Sequence, residues 1–260
     1  MKKNISFHYG FDSDYRTRIS LLKEVGFDGV MAMYEYAPDF YEGIDYALSQ
    51  GLNVESIHLP FRDIVNDLWL DVEGGEYFTD LMIKGGRYAK RIGVDKCTLH
   101  LSSSPTPPPM SEIGFARLHK IADFYQENGL TLCIENLRRI DYFRAVVDSI
   151  PSVKVCYDVG HHNIYYPTGF DIMEYEDRVA LLHLHDNFGL KDDHYLPFEG
   201  TCDWDKICNR ISRLPLEPDL TLEVHGACDK SKMTSEKGYL QHAMDALNKI
   251  EEKIKGYANE

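Results

Sequence analysis

The sequence contains no run of about 18 apolar residues, the length that a membrane-spanning helix requires, and we therefore expect no membrane span. Its six cysteines include no C-x-x-C pair, and 260 residues is too long for a small disulfide scaffold. The opening stretch, MKKNISFHYG, lacks the apolar segment of a secretory signal peptide. These absences together favour a reduced, cytoplasmic protein.

Basic residues are also scarce. The chain has 28 Lys and Arg against 42 Asp and Glu, for a net charge of −14. Such a chain repels a phosphate backbone, which disfavours a nucleic-acid partner unless a local basic patch or a metal cluster overrides the repulsion. An acidic surface keeps the protein soluble, and a homo-oligomer remains compatible with the sequence.

Short apolar runs rich in β-branched residues alternate with amphipathic segments along the whole chain. The helical patterns cover 15–25, 38–50, 76–92, 112–128, 172–177 and 235–255, and the stretch 172–177 gives barely two turns. The predicted strands are 4–10, 28–34, 53–60, 96–102, 130–137, 153–160, 180–186 and 220–226.

This alternation predicts a (β/α)8 TIM barrel that forms a single domain over residues 1–260. A doubly wound open sheet is the main alternative. That fold usually has a G-x-G-x-x-G turn after its first strand, and the segment FHYGFDSD does not contain one. The barrel is therefore the favoured fold.

Ionisable residues lie near the carboxyl ends of six predicted strands, where barrel enzymes build their active sites. They are His58, His100, Glu135, Asp158, His183 and Glu223. The residue two positions before each is small or apolar, so all six are expected to crown the barrel interior. Three buried carboxylates at close range repel one another, and a divalent cation is the simplest compensation. Mixed imidazole and carboxylate ligands suit Zn, Mn, Fe or Co better than Ca.

Three further residues extend this predicted ring. His161 follows Asp158 in the motif DVGH, and Asp192 and His194 form a D-x-H motif. They could complete a second or a third metal subsite.

The ordered motifs resemble those of the xylose isomerase-like TIM-barrel superfamily over nearly the whole chain. This superfamily includes isomerases and epimerases of sugars and sugar phosphates, and also AP endonuclease family 2, the endonuclease IV type of apurinic-site nuclease. The matching segments are SIHLP, TLHLS, CIENL, YDVGHH, HLHDN, D-x-H-x-x-P-x-E-G followed by TCDW, and LEVHG.

The resemblance implies a ligand set for each branch. In the epimerase branch one metal would be held by Glu135, Asp158, His183 and Glu223, with the two glutamates as the acid–base pair. In the nuclease branch three zinc ions take nine ligands. All nine positions are filled here, by His58, His100, Glu135, Asp158, His161, His183, Asp192, His194 and Glu223. The resemblance thus implies one to three divalent ions, Zn or Mn.

Two segments depart from the family pattern. The nuclease branch carries Arg and Trp in the loop after strand two, whereas this loop reads YEYAPDFYEG. Phe198 stands where the family often has Gly in a P-G-E-G turn. The first departure counts against DNA as the substrate.

We therefore expect a metal-dependent isomerase or epimerase that acts on a sugar or sugar phosphate by proton transfer through a metal-stabilised enediolate. A zinc-cluster phosphoesterase and a metal-binding barrel without turnover are the alternatives. His185, Arg138 and His8 are candidate substrate-binding residues. A loop histidine bonded to backbone is the alternative for His185, and a solvated rim position is the alternative for the other two.

Overall fold

The computed structural model describes residues 1–226 and 235–258. Its strands are β1 Lys3–Ser6, β2 Gly29–Met33, β3 Asn53–His58, β4 Lys96–Leu99, β5 Thr131–Glu135, β6 Lys154–Asp158, β7 Val179–His183 and β8 Leu220–Leu222. The α-helices are α1 Tyr15–Val25, α2 Phe40–Ser49, α3 Glu73–Arg91, α4 Glu112–Glu127, α5 Ile140–Ser149, α6 Val159–Tyr165, α7 Trp204–Ile211 and α8 Glu236–Ala258. Two 3-10 helices span Asp63–Trp69 and Ile172–Arg178.

The strands form one sheet in the order β7-β6-β5-β4-β3-β2-β1-β8. Neighbours pair in parallel, as β1 does with β2 through Ile5 and Val30. A parallel bridge joins Leu184, directly after β7, to Leu222 of β8, so the two ends of this order are themselves paired. This confirms the predicted (β/α)8 barrel.

The chain divides into two compact units. The first unit comprises Met1–Ala32, Ala37–Glu55 and Tyr157–Glu260, and the second comprises Met33–Tyr36 and Ser56–Cys156. A single domain over residues 1–260 stays a prediction. Among the described residues, no helix combines the length and the apolar character that crossing a membrane requires.

Local sequence explains most helix boundaries. The Asp14 side chain accepts hydrogen bonds from the backbone N–H groups of Arg16 and Thr17, which begins α1 at its predicted residue. Gly26 ends α1 with a φ of 100°, a left-handed conformation that glycine adopts without strain. Most of the observed strands end before their predicted last residues, and the residues that follow belong to the loops.

The sixth predicted helix lies at its predicted position but is a 3-10 helix, and α6 was not predicted. The 3-10 helix covers residues 172–178, and α6 starts at Val159, inside the segment predicted as strand six. Asp158 ends β6 and caps α6, because its Oδ1 accepts the backbone N–H of His161 at 2.6 Å. The chain therefore passes from strand to helix at Asp158, a candidate metal ligand.

In the second unit, Arg117 and Trp69 fix the long segment after β3. The Arg117 Nη1 group donates to the carbonyls of Asp67, Leu68 and Leu70 at 2.6–3.2 Å. The Trp69 indole is 2% exposed and donates to the carbonyl of Leu101 at 2.8 Å. These hydrogen bonds tie the segment to α4 and to the residues after β4.

Candidate active site

Three predicted ligands meet within the second unit, at the carboxyl ends of β3, β4 and β5. His58 Nε2 lies 3.1 Å from His100 Nε2, which in turn lies 2.9 Å from Glu135 Oε2. The third side of this triangle, from His58 Nε2 to Glu135 Oε2, is 3.4 Å. All three residues are buried. We call His58, His100 and Glu135 the triad.

The hydrogen bonds around the triad determine which atoms can act as ligands. The carbonyl of Leu59 can only accept, and it lies 2.8 Å from His58 Nδ1, so we assign the proton of His58 to Nδ1. His58 Nε2 then carries a lone pair that faces His100 Nε2. The Glu135 carboxylate lies against the same nitrogen of His100. One ligand atom from each of the three residues lies within 4.8 Å of the others, so the triad could hold a divalent cation.

A second group of predicted ligands meets within the first unit. His185 Nε2 lies 3.1 Å from both carboxylate oxygens of Asp158. Asp192 Oδ2 lies 3.1 Å from His161 Nε2 and 3.3 Å from His194 Nε2. The sets Asp158, His161, His185 and His185, Asp192, His194 each bring one ligand atom per residue within 4.8 Å of the others. We call these five residues the cluster.

Charge coupling in the cluster shifts the pKa values of two of its members. Burial lowers the pKa of His194, but its hydrogen bond to Asp192 and the charge of Glu223 outweigh burial and raise this pKa to about 9. Burial acts to raise the pKa of Asp192, and hydrogen bonds from His161 and His194 nevertheless hold it well below the usual range. His194 Nδ1–H donates to the carbonyl of Glu223 at 2.7 Å, which points Nε2 at Asp192.

His183 and Glu223 form a separate close pair in the first unit. His183 Nδ1 lies 2.9 Å from Glu223 Oε2, and both side chains are buried. β8 ends at Leu222, and the Glu223 N–H donates to the carbonyl of Leu184 at 3.1 Å. The backbone bonding between the ends of β7 and β8 therefore places this imidazole beside this carboxylate.

Asp186 shapes the loop that carries Asp192 and His194, and no pattern in the sequence singles it out. Its carboxylate is fully buried and accepts N–H bonds from the backbone of Asn187, Phe198 and Cys202 and from the Trp204 indole at 2.7–3.0 Å. The main chains of Asp186 and Tyr195 also exchange two hydrogen bonds. The loop therefore folds back onto one buried charge.

The three predicted substrate-binding residues have different surroundings. His185 is fully buried and belongs to the cluster. His8 Nε2 lies 3.7 Å from Asp39, and burial followed by the charge of Arg18 lowers its pKa to about 4, so it is neutral at pH 7. Arg138 is exposed. Neither His8 nor Arg138 belongs to the triad or the cluster.

Two aromatic residues beside these groups were missed by the sequence reasoning. The His225 ring lies 4.6 Å from that of His194, and its position two residues after Glu223 was the available signal. The Phe61 ring packs against both imidazoles of the triad, and no sequence pattern points to it.

A sequence profile described as xylose isomerase-like TIM barrel matches residues 10–250. The chain belongs to this family. The uncharacterized protein y4fM of Sinorhizobium fredii (strain NBRC 101917 / NGR234) is 39% identical over 103 residues, which are 39% of this chain and 32% of that protein. The chain thus matches about a third of the length of that relative.

Solved structures show the same fold at low identity. An L-ribulose 3-epimerase superposes with a TM-score of 0.79 and 15% identity over 99% of this chain and 96% of its own. A D-psicose 3-epimerase with D-tagatose from Clostridium cellulolyticum H10 gives 0.77 and 18% over 98% and 99%. The IOLI protein with a bound zinc atom gives 0.76 and 13% over 99% of both chains. At these identities the similarity shows the fold alone.

Proposed function

We propose that the chain is a metal-dependent isomerase or epimerase acting on a sugar or sugar phosphate. The observation that carries the proposal is the triad, in which His58, His100 and Glu135 direct ligand atoms at one another across 2.9–3.4 Å in a buried site. Family membership and the 3-epimerases among the proteins of similar fold support the reaction class.

The ligand atoms of the triad and of the cluster suit a divalent transition metal. They combine imidazole nitrogens with carboxylate oxygens, which favours Zn or Mn over Ca. The family resemblance assigns one ion to Glu135, Asp158, His183 and Glu223. When bound, the ion supplies a Lewis acid that polarises the carbonyl of the sugar and makes the adjacent carbon-bound proton more acidic.

The proposal assigns the proton transfers to Glu135 and Glu223. One carboxylate takes the proton from the carbon next to the carbonyl, and the electrons of the broken C–H bond form an enediolate. The protonated partner glutamate returns a proton to the carbon. Each carboxylate has a buried imidazole at 2.9 Å, His100 for Glu135 and His183 for Glu223. The contact of His100 with Glu135 has hydrogen-bond geometry and can orient that carboxyl group.

Exchange of the carbon-bound proton with solvent tests this proposal. The protein, with Zn or Mn supplied, is incubated in D2O with a panel of ketoses, aldoses and their phosphates, and deuterium in the sugar is measured by NMR. We expect incorporation next to the carbonyl, reduced about 10²–10⁴-fold in Glu135→Gln and in Glu223→Gln. Glu127→Gln, at an exposed position on α4, is the matched control. No incorporation into any sugar by the metal-loaded protein would reject the proposal.

A zinc-cluster phosphoesterase is the second candidate, because the chain offers more ligands than one ion needs. The cluster of five residues exists in addition to the triad, and clustered zinc ions can activate water for attack at phosphorus. The net charge of −14 and the acidic loop after β2 make nucleic acid a poor substrate. Two or three Zn per chain, with cleavage of small phosphodiesters or an abasic oligonucleotide, would favour this candidate.

A further inference from the structure

A cavity of about 260 Å³ lies within the second unit, beside the triad. Residues at the end of β2, the segment after β3 and one side of α3 enclose it. Four aromatic rings line it, those of Tyr34, Tyr36, Phe61 and Tyr77. Its volume is below the roughly 300–1,000 Å³ typical of pockets for drug-sized ligands, so it fits one ring rather than a larger group.

Two of these aromatic residues are unusually exposed. Tyr36 is 46% exposed and Tyr77 is 61% exposed, although large apolar surfaces are normally covered. Aromatic faces next to a concave apolar surface are typical of small-molecule sites, because a flat ring stacks on them and displaces water. Both rings are therefore accessible to a ligand that enters the cavity.

The cavity borders the candidate active site, because His58 of the triad is one of its lining residues. The Phe61 ring lines the cavity and packs against the imidazoles of His58 and His100, with centroid distances of 5.0 and 4.9 Å. A ring that stacks on Phe61 thus lies one side chain away from the triad. A group in the cavity can therefore belong to the molecule that reacts there.

Polar groups define the rim of the cavity. The Arg62 guanidinium lies 5.8 Å from the centroid of the Tyr36 ring, and Lys84 contacts the Glu35 carboxylate at 3.1 Å. Glu35 has a φ of 51°, which is uncommon for a residue other than glycine. Such conformations concentrate at binding sites, where the surrounding structure holds them.

We propose that this cavity is a subsite for a ring-sized substituent attached to the reacting sugar. The inference rests on the proposed function and narrows the substrate class to sugars that carry one additional ring. That ring is either an aryl group or a second sugar, since an aryl ring presents a flat face and a pyranose an apolar C–H face to aromatic side chains. The tyrosines stack on the ring, and the rim groups bind its polar substituents.

Calorimetric binding measurements distinguish an aryl group from a second sugar and do not require turnover. The metal-loaded protein is titrated with methyl β-D-glucopyranoside, phenyl β-D-glucopyranoside and cellobiose. We expect the phenyl glucoside, cellobiose or both to bind more tightly than the methyl glucoside. Tyr77→Ala and Tyr36→Ala should each reduce that preference about 2- to 10-fold. Val72→Ala, at an exposed apolar position of the same unit outside the cavity, should leave it unchanged.

The outcomes of the two experiments test the subsite and the proposed function separately. If all three ligands bind equally, or if the preference survives both tyrosine substitutions, the subsite is wrong, whatever the exchange experiment in D2O shows. If the preference exists and depends on the tyrosines while no sugar exchanges its proton, the subsite stands and the isomerase proposal fails. A preference for only one of the two ring-bearing ligands identifies the substituent.

Discussion

Replacing Asp186 with Asn should weaken both the fold and metal binding, because one carboxylate organises the loop after β7. Asp186 Oδ1 accepts the N–H groups of Asn187 and Cys202, and Oδ2 accepts those of Phe198 and the Trp204 indole. Asparagine keeps one acceptor oxygen and puts an NH2 group in place of the other. Two of the four donors then face another donor.

The expected magnitude follows from those two lost bonds. A hydrogen bond to a charged acceptor contributes about 1.5–3 kcal/mol, so two contribute about 3–6 kcal/mol. The neutral amide avoids the cost of burying a charge, which offsets part of this loss. We expect the free energy of unfolding to fall by about 3 kcal/mol, a large share of the roughly 5–15 kcal/mol typical of a folded protein.

Urea denaturation of the metal-free protein at pH 7, followed by circular dichroism, measures this loss. Metal content of the same variant after reloading reports on the cluster, since Asp192 and His194 lie on the Asp186 loop. Asp193→Asn is the matched control, because this half-buried residue of the same loop should change stability by less than about 0.5 kcal/mol. Wild-type stability and metal content in Asp186→Asn would refute the assigned role of this carboxylate.

Three further changes test other parts of the structure. Glu135→Gln should weaken cation affinity at least about tenfold in a chelator competition, since it removes charge from the triad; affinity equal to wild type would exclude Glu135 as a ligand. Gly160→Ala should cost about 1–3 kcal/mol of stability and lower metal content, because the new Cβ would lie 2.0 Å from Cε1 of the buried His185 ring. Gly256→Ala, with open space around its Cβ, is the control. A Gly160→Ala protein as stable as wild type would contradict this packing. For His8, the folded-state pKa of about 4 lies below its ordinary value of 6.5, so its contribution to stability is complete above pH 6.5 and is lost as the pH falls through 4. His8→Gln should therefore flatten the dependence of the urea midpoint on pH between 4 and 6.5. An unchanged slope would show that this pH dependence arises from other groups.

The sequence predicted the fold because strand and helix patterns alternate regularly and glycines or capping residues mark the helix ends. All eight strands were placed, and α1 was placed to the residue. The helix α6 was missed because the strand pattern of KVCYD continues into apolar Val159, which hides the start of α6. Only the hydrogen bond from the His161 N–H to Asp158 shows the change from strand to helix.

The candidate ligands were predictable because parallel strands bring their carboxyl ends to one edge, and the two-residue period of a strand fixes which side chains share a face. Strand geometry accounts for His58, His100 and Glu135. It does not determine how the loop after β7 folds, and so it missed Asp186. The His185 ring lies against both oxygens of Asp158, a contact that strand geometry does not predict, and its role in substrate binding stays a prediction.

Elemental analysis of the protein purified without chelator tests the central claim most directly. The account predicts close to one Zn, Mn, Fe or Co per chain, removed by a chelator and restored when the metal is added back. No bound metal, with none taken up on addition, would contradict both the metal-dependent isomerase proposal and the zinc-cluster alternative.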